Sequence, residues 1–174
     1  MLKKTKRYLP EKNFPAYSFL PGVNAHPNLD GGYRFRIEDP KLTPINLSAP
    51  FAHEALRFSL DLFNHEYFWE SHIYLEALWN AHEREGVAAD FLKGLIKLAA
   101  AGVKLKVSEL GPAHTHLKNA RGHFERVHEK EGSVFLGFGL QKLLSDIDSA
   151  IHANLGQTRA TSTHDLFEIH PEWD

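Results

Sequence analysis

His72 and Glu76 stand four residues apart, and Trp79 follows three residues later, in the stretch Phe63-Asn64-His65-Glu66-Tyr67-Phe68-Trp69-Glu70-Ser71-His72-Ile73-Tyr74-Leu75-Glu76-Ala77-Leu78-Trp79. On a helix, an imidazole and a carboxylate at i, i+4 can share a proton or a metal ion. With Glu70, His116 or His26 reaching in from elsewhere, such a pair would suit zinc, manganese or iron. A water on that ion would become a nucleophile, the chemistry of a metal-dependent hydrolase. The chain has no His-Glu-x-x-His motif to support this reading. The competing role for His72 and Glu76 is a hydrogen-bonded pair that fixes helix packing.

Histidine is abundant, with 12 in the chain, and only His26 falls within the first fifty residues. It is the commonest metal ligand and the usual proton carrier near neutral pH, but also an ordinary surface residue. There is no cysteine, which excludes disulfides, thiolate nucleophiles and zinc–thiolate sites. A net charge of -2 argues against nucleic acid or a membrane surface as partner. The basic start, Met1 to Arg7, leads into no apolar run, so neither a signal peptide nor a membrane span is expected and a cytoplasmic location fits. Apolar content of 43% in 174 residues suits one compact domain.

These side chains need elements to hold them. Seven of the nine prolines lie in the first fifty residues, together with Tyr8, Phe14, Tyr17, Phe19, Tyr33 and Phe35. Residues 1–47 therefore read as an extended arm that lays its rings on a helical body. Alternation over Tyr33, Phe35 and Ile37 suggests one short strand there. Helices are expected over 49–64, with Ser48 as N-cap, and over 66–83, 88–107, 112–129 and 134–154, with Gly156 past the last end. At 100° per residue Phe68, His72, Leu75, Glu76 and Trp79 share roughly 80° of arc, and Glu70 points away from them. Gly94 and the run Ala99-Ala100-Ala101-Gly102 would let another helix approach the third helix closely, at some cost in helix propensity. The expectation is an all-α fold: a bundle of about five helices over 48–156, the Pro- and aromatic-rich arm over 1–47, and a surface tail over 157–174.

The central pattern resembles a bacterial and archaeal family known as domain of unknown function 309. The resemblance rests on Phe63-Asn64, Tyr67-Phe68-Trp69, Glu70-Ser71-His72-Ile73, Leu75-Glu76, Trp79, and Phe91-Leu92-Lys93-Gly94-Leu95-Ile96-Lys97-Leu98-Ala99, and it spans residues 50–130. It implies a small helical bundle and brings no established activity with it. Ile73 stands where the family pattern has an acidic residue, and Lys93 and Lys97 stand where it has glutamines, so any polar site of the family has a different charge here. Ala25-His26-Pro27 and Asp30 are similar to an N-terminal extension of some members.

The pocket candidates are thus Glu70, His72, Glu76, Trp79, Lys93, His116 and His26, and the candidate metal ligands are His72, Glu76 and His116. The leading function is a module that binds a small molecule or a partner. The alternative is the metal-dependent hydrolase. Phe68, Trp69 and Tyr74 form an aromatic set that could anchor a partner or a homodimer unless the arm covers it. Helical phase places Lys93 and Lys97 on a solvated face, although a turn of lysines facing the His72–Glu76 cleft could hold an anion. His114, Arg121 and His128 read as solvated. The Arg121–His128 spacing also occurs in small helical ribonucleases, but such a pattern arises by chance in a His-rich chain and the net charge disfavours RNA.

Overall fold

The computed structural model describes residues 5–154 and 168–172. A 3-10 turn, Pro50–Ala52, leads into five helices: α1 Glu54–Asn64, α2 Phe68–Ala81, α3 Gly86–Lys106, α4 Leu110–Glu131 and α5 Leu140–Asn154. Between α4 and α5 lies a minimal hairpin, β1 Val134–Phe135 and β2 Phe138–Gly139. Each helix packs chiefly on its sequence neighbours, and α3 is the central member between α2 and α4. The all-α bundle expected from periodicity is the fold.

The small residues of α3 are points of closest approach. The Phe124 ring of α4 lies against Gly94, and the Phe68 ring of α2 lies against Gly102. Phe91, Phe124, Phe135 and Phe138 continue the core as ring pairs with centroids 5.3–5.5 Å apart, a spacing typical of edge-to-face or tilted contacts.

Several boundaries differ from the sequence reading. Ser48 caps nothing: Ala49 precedes the 3-10 turn, Pro50 sits at its start, and α1 begins only after the extended His53. Gly111 and Pro112 lie inside the first turn of α4, where a missing N–H leaves no intrahelical acceptor unsatisfied. Residues 134–139 are not helical. Leu136 and Gly137 both have positive φ, 48° and 79°, as a two-residue hairpin turn requires, and their neighbours pair as Phe135 with Phe138. The strand expected at Tyr33–Ile37 is a series of turns, with Arg34 N–H donating to the Pro27 carbonyl and Ile37 N–H to that of Arg34, both at 2.8 Å. Gly32 permits this return, because a Cβ there would stand 2.2 Å from the His26 carbonyl oxygen.

The arm is fastened to the bundle by a carboxylate that the sequence did not single out. Asp61 on α1 is fully buried and accepts from the Tyr8 N–H (2.6 Å), the Leu9 N–H (2.9 Å) and Arg7 Nε (2.9 Å). Residues 168–172 of the tail pack against α1 and the arm. Asn64, buried on α1, donates through Nδ2 to the Ile169 carbonyl (2.9 Å) and accepts the Ile169 N–H (2.8 Å). Ile169 is buried, and the Tyr8 hydroxyl meets His170 Nδ1 at 2.7 Å. Gly156 and residues 157–167 lie outside the described residues.

Candidate functional site

Helix α2 carries the candidate residues and turns them to two different sides. One side faces the arm. Glu70 is 2% exposed, and its Oε1 accepts the Phe19 N–H (2.8 Å) and the Tyr33 hydroxyl (2.6 Å). Its Oε2 is buried with no hydrogen-bond partner among the described residues. Burial raises the Glu70 pKa, against the opposing pull of the Tyr33 and Phe19 hydrogen bonds and the charge of Arg34. Burial and the adjacent Glu70 also push the Tyr33 hydroxyl far above the usual tyrosine range, so it stays protonated.

Glu70 is on the wall of a pocket of about 400 Å³ between the arm and α2. Phe58, Trp69, Ile73 and Tyr74 form its floor on the helices, and Phe14, Pro15, Tyr33, Arg34 and Pro40 close it from the arm. Arg34 Cζ lies 5.9 Å from the centre of the Trp69 ring, and Lys12 Nζ lies 4.4 Å from that of Phe58. Aromatic faces and arm cations therefore hold each other across the opening. His26 belongs to this side as well. Its ring stands edge-on to Phe19 and Trp69, with centroids 4.9 and 5.5 Å away, and it does not reach His72.

The other side of α2 faces α3. His72 Nε2 is 3.4 Å from Glu76 Oε2, with both side chains partly exposed. Burial lowers the His72 pKa. Glu76 opposes that shift, and the charges of Lys93 and Lys97 add to it. Lys93 Nζ sits 3.6 Å from the centre of the Trp79 ring. Both lysines are half-buried on α3, which packs between α2 and α4, and their charges reach His72. His116 on α4 comes into the same electrostatic neighbourhood: burial, Lys97, Lys104 and His72 lower its pKa, and its Nδ1 is buried without a partner among the described residues.

The candidate metal ligands are His72, Glu76 and His116. Among the described residues no three His, Asp or Glu side chains gather as a metal ion would need. Glu70 and His26, the other residues expected to complete a set around His72, Glu76 and His116, are engaged on the arm side of α2. The charges of Lys93 and Lys97 also act on His72. Neither His72 nor Glu76 lines the arm pocket, whereas Glu70 does.

The aromatic set is not a free docking face. Phe68 is buried against Gly102, Trp69 is covered by Phe19 and His26, and Tyr74 packs edge-on against Phe58 (5.1 Å). Arg121 is committed to Asp148 (2.8 Å) and Glu125, so the Arg121–His128 spacing does not present a free guanidinium. The sequence reading missed Tyr33, Arg34 and Asp61, which join Glu70 or α1 across gaps of tens of residues. The one available signal was the helical phase of Glu70, which set it apart from His72.

The fold and site together define a small helical bundle with an arm-covered pocket. Residues 52–116, from the 3-10 turn to the first half of α4, match the model of the family described as domain of unknown function (DUF309). No curated protein and no solved structure matches the chain. No described helix is long and apolar enough to cross a membrane.

Proposed function

We propose that the chain is a small-molecule-binding module whose ligand occupies the pocket between the arm and α2 and pairs with Glu70. The observation that carries this reading is Glu70, which lines a pocket of about 400 Å³ and whose Oε2 is buried without a hydrogen-bond partner among the described residues. A buried polar atom left unpaired costs about 1–3 kcal/mol, and a ligand donor that reaches Oε2 through a small shift of the pocket wall recovers that cost. The remaining walls are mainly aromatic and apolar, with a few polar groups at the rim, which is the usual make-up of a ligand site. The fitting class is a flat, largely apolar molecule carrying one nitrogen donor.

The test is a fragment screen by ligand-observed NMR against the wild-type protein and an Ile73→Trp variant that fills the pocket. Aromatic fragments with an amine or amide should bind the wild type and compete with one another, and they should lose binding to the variant. Fragments that bind both proteins equally, or an absence of competing hits, would remove the pocket as the ligand site.

A further inference from the structure

A second cavity, of about 380 Å³, opens where the α2–α3 turn meets α4. It is walled by Trp79, Arg84, Lys93, Lys130 and the pair Asp90–His123. It shares no residue with the Glu70 pocket.

The charges in this cavity are unbalanced. Asp90 is its one acidic side chain, and its carboxylate is already matched. His123 Nδ1 lies 2.7 Å from Asp90 Oδ1, and Arg126 reaches the same carboxylate from Nη2 at 3.1 Å and Nε at 3.2 Å. Arg126 Nη2 also approaches His123 Nδ1 at 2.6 Å, so the carboxylate holds two basic groups together. Those hydrogen bonds keep the Asp90 pKa low despite its partial burial.

Three further cations then remain. Lys93 Nζ and Arg84 Cζ both lie over the Trp79 ring, 3.6 and 4.8 Å from its centre. Arg84 Nε donates to the neutral Asn80 Oδ1 at 2.8 Å. Neither Arg84, Lys93 nor Lys130 forms an ion pair within 4.0 Å of a described carboxylate. The indole ring gathers two like charges that repel each other, and burial together with Lys97 and Arg84 lowers the Lys93 pKa, against the pull of Glu76. A site that holds unpaired cations beside a concave surface is set to accept an anion, because the anion relieves their mutual repulsion as well as meeting them directly.

We propose that this cavity binds a phosphate-type oxyanion, with Arg84 and Lys93 as its principal contacts and Lys130 at the rim. Arg84 offers a planar fork of donors suited to two oxygens of one phosphate, and Lys93 and Lys130 act as point charges. Asp90 holds His123 in the wall, and Arg126, outside the lining, binds the same carboxylate. The ligand is either inorganic phosphate or the phosphate group of a small phosphomonoester.

The experiment is calorimetric titration of the full chain at low ionic strength with inorganic phosphate, pyrophosphate and a sugar phosphate. The variants are Arg84→Gln, Lys93→Met and the double variant. Lys142→Met serves as the control, because Lys142 pairs with Asp146 on α5. The wild type should give saturable binding of one equivalent. Each single variant should weaken it about tenfold, equivalent to about 1.4 kcal/mol, and the control should be unchanged. Tighter binding of the sugar phosphate than of phosphate would assign the phosphomonoester, and equal binding would assign the free ion. Heats that fail to saturate, equal losses in the control, or full binding by the double variant would overturn the proposal. Thermal melts without ligand should show the single variants as stable as the wild type. If the double variant does not fold, Lys130→Met on the exposed end of α4 decides the matter in the same titration.

Discussion

The Tyr33 hydroxyl donates to Glu70 Oε1 at 2.6 Å, joining a turn of the arm to the middle of the bundle. Burial raises the Glu70 pKa from an unfolded value near 4.5. Between 4.5 and the raised native value the folded chain binds more protons than the unfolded chain. Wild-type stability therefore falls as pH rises through that window, and the loss is complete above it. Glu70→Gln retains an oxygen for Tyr33 and Phe19 and removes the titration. Its melting temperature should decline less over the window and equal or exceed that of the wild type at neutral pH. Tyr33→Phe should act in the opposite direction, losing about 1–2 kcal/mol at neutral pH, because the hydrogen bond that favours the ionised carboxyl is gone. Melting curves across acid to neutral pH check both, and parallel profiles for the wild type and Glu70→Gln would contradict the assignment.

Asp61 should prove to be the chief anchor of the arm. Asp61→Ala leaves the Tyr8 and Leu9 N–H groups and Arg7 without their acceptor. The expected cost is about 2–4 kcal/mol, set by unpaired buried donors and a broken, partly buried ion pair. Limited trypsin digestion should cut the variant first at Arg7 and Lys12, before the bundle is touched. A variant whose arm resists cleavage as the wild type does would show that the aromatic contacts of Phe14 and Phe19 suffice.

The bundle itself was legible in the sequence because a 3.6-residue apolar period needs no knowledge of partners. Phe91, Leu95 and Leu98 are buried on α3, as their spacing implies. Elements governed by a few backbone angles were not legible. The hairpin at 134–139 depends on positive φ at Leu136, and leucine gives no sign of it. The site was half legible. The phase of α2 set Glu70 apart from His72, but the partner of Glu70 is Tyr33, 37 residues earlier, and no local spacing encodes that contact. The phase of its own helix alone points Lys93 to solvent. What meets it is Trp79 on the neighbouring helix, which a single-helix projection omits.

Gly102 should resist replacement even by alanine. In an exposed helix, Gly→Ala would gain about 1 kcal/mol of propensity. Here a Cβ would stand 2.5 Å from Phe68 Cγ, the root of a fully buried ring that cannot swing aside. Overpacking of this kind costs about 1–3 kcal/mol, so Gly102→Ala should be neutral to destabilising by up to about 2 kcal/mol, whereas Gly122→Ala, whose nearest neighbour is the Arg126 head group at 3.6 Å, should stabilise. Urea denaturation of the two variants makes the comparison. A gain at Gly102 equal to that at Gly122 would mean that α2 and α3 can separate freely.

Mild acid should loosen the junction between arm and bundle through His82. Its Nε2 accepts the N–H of buried Ile45 at 3.0 Å, which requires the neutral ring. Burial, with a smaller effect of His53, lowers the His82 pKa below the unfolded value of 6.5. Below pH 6.5 the unfolded chain therefore takes up the proton first, and stability is lost as pH falls from 6.5 through the lower native value. His72 and His116 shift in the same direction and add to the loss. Protonation of His82 also removes the acceptor for Ile45, a bond worth about 1 kcal/mol. His82→Gln, which keeps an acceptor and cannot titrate, should melt less steeply with falling pH than the wild type. The Ile45 amide should exchange faster in acid in the wild type, relative to other core amides, but not in the variant. Identical acid profiles for both proteins would assign the acid sensitivity to the α2–α4 histidines instead.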